Sequence, residues 1–161
     1  MNAIEIARKM ETDAIKFYTE AAGKTQYPAG KKMFETVVGD EKRHLEIINK
    51  LLQGLEIHME DVHPINNVKT VFETMKDQMM ERVKATSDEM EAFKIAMQME
   101  KEGLEFYKKL LTEAKTDKEK TLFKKLIGEE EQHYAIFENT YNFLTDTGNW
   151  FMWSEHSIVE G

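Results

Sequence analysis

The chain has 161 residues, 41% hydrophobic and 32% charged, with 22 Lys+Arg against 30 Asp+Glu for a formal charge of −8. That length suits one domain with its own core. The absence of cysteine excludes disulfides, thiolate zinc sites, cysteine-ligated iron–sulfur clusters and cysteine nucleophiles. The acidic balance argues against a nucleic-acid partner, and short, charge-broken apolar runs argue against a bilayer span. Acids within MNAIEIARKME argue against a signal peptide, so the expected location is the cytoplasm.

Helical periodicity recurs in four long segments. The first, about 3–22, carries Ile4, Ala7, Ala14, Tyr18 and Ala21 on one stripe, with Glu11 among them. Gly23 to Gly30 is turn chemistry. The second segment, about 31–53, places Phe34, Val37, Val38, Leu45, Ile48 and Leu52 on one face, and Gly54 suits its end. An irregular stretch and a shorter amphipathic helix, Val68 to Val83, follow within 55–86. Capping boxes at Thr86–Glu89 and Thr116–Glu119 open the third and fourth segments, which run to about Ala114 and Leu144. Residues 146–161, with Trp150 and Trp153, form a tail. Short turns make each flanking pair an antiparallel hairpin. The long middle piece returns the chain along the bundle, which predicts an all-α four-helix bundle, 1–145, with one long crossover.

The halves match without gaps at an offset of 89 residues. The hairpins 3–54 and 92–143 share Met10/Met99, Glu11/Glu100, Phe17/Phe106, Tyr18/Tyr107, Phe34/Phe123, Glu41/Glu130 and His44/His133, among others. Helical patterning accounts for the apolar matches and leaves the Glu and His matches unexplained, because a generic core gains nothing from them. The repeated Gly39/Gly128 suggests close helix packing.

Glu11 and Glu100 lie on core stripes at heptad spacing, while Glu41/His44 and Glu130/His133 continue the Phe34 and Phe123 stripes. Each helix therefore aims a carboxylate at the axis, and two add an imidazole. Four buried carboxylates repel one another and resist desolvation; two divalent cations balance them. Carboxylate and neutral imidazole suit iron or manganese, and zinc binds by affinity alone. A metal-free network of Glu–His hydrogen bonds is the alternative. Glu60/His63 has no repeat partner and reads as chance. Tyr18 and Tyr107, seven residues beyond Glu11 and Glu100, are either hydrogen-bond donors to a ligand carboxylate or plain core aromatics. The methionines around Met75 to Met80 read as packing, His58 and His156 as surface or tail residues, and Glu129 and Glu131 as solvent-facing.

METDAIKFY with GDEKRH, and MEKEGLEFY with GEEEQH, resemble the rubrerythrin branch of the ferritin-like superfamily over roughly Met1 to Leu144. The resemblance implies a non-haem di-iron centre of two iron ions. Glu41 and Glu130 would bridge them, Glu11 and Glu100 would be terminal ligands, and His44 and His133 would bind one metal each. It also implies a homodimer that reduces hydrogen peroxide or dioxygen. There are no cysteines to build a rubredoxin domain, so electrons would come from an external, rubredoxin-like or other donor. Gly103 stands where members carry a further carboxylate, three residues after Glu100, which bears on their redox-linked ligand exchange. Iron storage, manganese catalase-like disproportionation, and a structural bundle binding a partner through the tryptophan tail are the competing readings.

Overall fold

The computed structural model describes residues 3–25, 28–54 and 87–147. Among these there are four helices, α1 (Ala3–Lys24), α2 (Pro28–Leu52), α3 (Ser87–Glu113) and α4 (Asp117–Thr147), and no strand. The shorter crossover helix, Glu60/His63, His58, Met75 to Met80, Thr86 and the tail with Trp150, Trp153 and His156 lie outside the described residues.

Helix α2 begins at Pro28, inside the stretch expected to be a turn. A fixed φ and a missing N–H suit proline to a helix's first turn. Its C-terminus matches expectation: Gly54 adopts φ +70° and donates its N–H to Leu51 O at 3.1 Å. At the start of α4, Thr116 Oγ1 accepts the Glu119 N–H at 3.1 Å. Glu119 answers through the Lys115 N–H at 3.4 Å, one residue before the usual reciprocal position.

The packing fixes the topology. One core cluster joins Ala21 and Ala22 at the end of α1 to Met33 and Phe34 at the start of α2, with Phe93 of α3 and Phe137 of α4. The other joins Ala7 to Ile47 and Ile48, and Tyr107 and Leu110 to Leu122 and Phe123. The helices within each hairpin are therefore antiparallel. Helix α2 ends at one end of the bundle and α3 begins at the other. No described helix is long and apolar enough to cross a membrane.

The first cluster is aromatic. Phe34 and Phe93 stack at 5.2 Å, and Tyr18 meets Phe137 at 5.5 Å. In the second cluster Ile4 and Ile48 occupy the repeat positions of Phe93 and Phe137. The polar centre lies between these two apolar plugs. Two packing expectations need correction. A Cβ at Gly39 or Gly128 would meet nothing within 4 Å, so neither glycine marks a close helix approach. Leu45 is only half-buried, while Ile47, outside the expected stripe, is buried.

Candidate metal centre

Heptad and i,i+3 spacing turn Glu11, Glu41, His44, Glu100, Glu130 and His133 toward the bundle axis, and none of them is more than 3% exposed. They form two groups whose ligand atoms lie within 4.8 Å of one another: Glu11, Glu41, His44 and Glu130; and Glu41, Glu100, Glu130 and His133. Glu41 and Glu130 belong to both.

Both imidazoles turn Nδ1 toward the carboxylates. His44 Nδ1 lies 3.3 Å from Glu130, 3.5 Å from Glu41 and 3.6 Å from Glu11. His133 Nδ1 lies 2.9 Å from Glu41 and 3.5 Å from Glu100. None of these approaches has hydrogen-bonding alignment. Glu11 Oε2, Glu41 Oε1, Glu100 Oε2, Glu130 Oε1 and both Nδ1 atoms are buried without a hydrogen-bond partner. Buried polar atoms in folded proteins are nearly always satisfied. Each of these residues thus offers an orphaned oxygen or nitrogen to the cluster, a donor chemistry that suits divalent cations.

The electrostatics agree. Burial, then the charge of Glu41, push the Glu11 carboxyl well above the ordinary carboxylate range. Burial, then Glu100 and Glu41, do the same to Glu130. Glu41 goes the other way: burial would raise it, but Glu11 and the two imidazoles hold it well below that range. Burial disfavours charge on His44 and His133, yet the surrounding carboxylates outweigh it and push both well up. Protons are thus the cluster's other means of balancing its charge, and metal ions would compete with them.

Tyrosines close the centre from opposite sides. Tyr18 Oη donates to Glu100 Oε1 at 2.7 Å, and Tyr107 Oη donates to Glu11 Oε1 at 2.5 Å. Each bond runs across the bundle to the other hairpin, not to the glutamate on the tyrosine's own helix. Burial, then the adjacent carboxylate, raise both phenols, so they remain donors.

The outer layer escaped sequence reasoning. Glu129, expected to face solvent, is 3% exposed, and its carboxylate pairs with Arg43 of α2 through both oxygens. Glu131 does face solvent. Asp40 accepts His133 Nε2 at 3.0 Å, and Glu129 Oε1 stands 3.3 Å from His44 Nε2. Arg43 also lies 3.5 Å from Asp40, so one guanidinium spans both acids. His44 and Arg43 hold Glu129 down at about 2 against the effect of its burial. The signal was present: Asp40 and Glu129 are acids at matched repeat positions, each directly before a core glutamate.

The family model described as Rubrerythrin matches residues 2–141. No curated protein and no solved structure matches the chain at a significant level.

Proposed function

Because the chain belongs to the rubrerythrin family, a ferritin-like di-iron carboxylate domain, we propose that it is an oxidoreductase that reduces hydrogen peroxide or dioxygen at a pair of iron ions. The observation that carries this reading is the sharing of Glu41 and Glu130 between the two ligand groups. Glu11, Glu41, His44 and Glu130 would hold one ion, and Glu41, Glu100, Glu130 and His133 the other. Two ferrous ions bound there would supply the two electrons that reduction of hydrogen peroxide and two protons to two waters requires.

The chain's residues do the rest. Four carboxylates offset the charge of two divalent cations. Asp40 holds the His133 ring with Nδ1 inward, and the Glu129 charge lies beside His44 Nε2. Tyr18 and Tyr107 fix Glu100 and Glu11. The apolar plugs at either end exclude bulk water. We take the electron donor to be a separate molecule, and place the protein in the cytoplasm as a homodimer.

Stopped-flow mixing of the reduced, iron-loaded protein with peroxide tests the reading. Oxidation no faster than in a Glu41→Ala, Glu130→Ala variant would overturn it. Oxygen release from peroxide without reductant, in manganese-loaded protein, would favour disproportionation. A large hollow assembly with many irons per chain would favour storage.

A further inference from the structure

A cleft of about 140 Å³ opens between α1 and α3. Burial gives it a direction. Asp13 and Glu102 at its rim are exposed, Met10 and Met99 are half-buried, and Glu11, Glu100 and Glu130 at its floor are buried. Each outer pair is a repeat pair, 89 residues apart, so the two walls mirror one another. Orphaned oxygens of Glu11, Glu100 and Glu130 belong to residues that line it.

The mirror breaks at one point. Ala14 on α1 is answered by Gly103 on α3. A Cβ at Gly103 would lie 3.3 Å from Glu130 Oε2 and 3.5 Å from the Met10 methyl. The missing side chain lets the Glu130 carboxylate and the flexible Met10 thioether come close to the α3 backbone at the cleft wall, so any side chain here would press on both.

We propose that this cleft is the path by which a small uncharged oxidant, hydrogen peroxide, reaches the metal centre. Gly103 and Met10 are its specificity-determining residues, since they set its width. This inference rests on the proposed peroxide chemistry. A closed cavity of about 150 Å³ holds one molecule the size of benzene. Hydrogen peroxide therefore passes easily, whereas cumene hydroperoxide, a benzene ring carrying a branched arm, does not fit whole. The carboxylates at the rim and floor disfavour anions.

Nitric oxide, small and uncharged, probes the path without peroxide chemistry. Its association rate with the reduced, iron-loaded protein is measured for wild type, Gly103→Val and Met10→Ala, alongside metal content. The rates of oxidation by hydrogen peroxide and by cumene hydroperoxide are measured on the same samples. Gly103→Val is expected to slow nitric oxide and hydrogen peroxide at least tenfold at unchanged metal content. Met10→Ala is expected to narrow the preference for hydrogen peroxide over cumene hydroperoxide about tenfold. Unchanged nitric oxide rates and an unchanged preference in both variants would overturn the path. Should Gly103→Val fail to hold metal, Met10→Ala alone decides, because it removes a half-buried side chain and adds nothing. A wild-type protein whose nitric oxide uptake responds to these variants, yet which is inert to both hydroperoxides, would sink the peroxide reading and keep the path.

Discussion

Asp40 of α2 reaches across the bundle to His133 of α4, its Oδ2 accepting the ring Nε2–H at 3.0 Å. The bond leaves Nδ1 of His133 facing Glu41 at 2.9 Å. An imidazole whose outer nitrogen is committed to a carboxylate presents its inner one in a fixed orientation, ready to exchange its proton for a metal ion. Glu129 lies near His44 as a charge, 3.3 Å from its Nε2 without a hydrogen bond. The chain thus orients His133 by a hydrogen bond from the opposite hairpin, and sets a carboxylate charge beside His44 from the other.

Loss of either outer carboxylate should therefore weaken metal binding without touching a ligand. Asp40→Asn is expected to lower affinity for one ion about 10–100-fold, since outer hydrogen bonds to ligating histidines carry that much. Glu129→Gln removes a charge 3.3 Å from His44 Nε2 and no hydrogen bond, so it should weaken binding of the other ion less. Competition with a chromophoric chelator will read this as one tight and one weakened site. Two unchanged affinities in both variants would show that packing alone fixes the rings.

The metal-free protein should have an inverted pH profile. Glu11 and Glu130 titrate in the folded chain well above the ordinary carboxylate value of 4.5. The stability linked to their protonation is full below 4.5 and is lost as the pH rises through their raised values. His44 and His133 are raised above the ordinary 6.5, so their contribution also fades as the solution turns alkaline. Glu41 is depressed, and Glu129 sits at about 2; their contribution is present above 4.5 and is lost as the pH falls toward 2. Urea unfolding of the chelator-stripped protein should give greatest stability in mildly acidic solution and a decline through neutrality. Bound metal should remove the alkaline decline, because it takes the place of those protons.

The inner ring of the centre was legible because the repeat writes it twice. A single Glu-x-x-His in so acidic a chain says little, but Glu41/His44 and Glu130/His133 on matched apolar stripes restrict the interior to a polar, two-sided site. Helix boundaries followed from punctuation such as Gly54 and Thr116. The outer ring was less legible. Glu129 sits next to Glu130 on the helix, where periodicity assigns neighbours to different faces. What buries it is Arg43, contributed by another helix, and sequence spacing within one helix does not reveal a partner on another. The crossing of the tyrosine bonds was hidden for the same reason. Tyr18 shares a stripe with Glu11 yet bonds Glu100, because the antiparallel course of α1 and α3 sets its hydroxyl beside the opposite glutamate.

Tyr107→Phe removes the only hydrogen bond found to Glu11 Oε1 among the described residues. A buried acceptor left without its donor costs about 1–3 kcal/mol. The variant should unfold at correspondingly lower urea concentration in metal-free form. Tyr18→Phe should behave alike at Glu100. Equal stability of wild type and both variants would mean that the hydroxyls are incidental to the fold, and the oxidation rate of the loaded variants would then decide whether they serve the chemistry.

Arg43 holds two acids with one cation, at Asp40 and at Glu129, and its repeat partner is the uncharged Gln132. Arg43→Gln leaves Glu129 buried beside His44 with no guanidinium. Removal of one partner from a fully buried ion pair costs about 3–5 kcal/mol. The Arg43 side chain keeps 17% of its surface in solvent, which screens part of that effect, so a loss of about 1–3 kcal/mol is expected. The Glu129 carboxyl should also rise from about 2 toward ordinary values, moving the acid limb of the stability profile to higher pH. Parallel urea titrations of wild type and Arg43→Gln from pH 3 to neutrality will show both effects. Gln132→Arg provides the reciprocal case: it offers the second hairpin a guanidinium at the matched position, and should stabilise the protein only if room exists beside these same acids. A variant Arg43→Gln with wild-type stability and an unmoved acid limb would show that His44 alone balances Glu129.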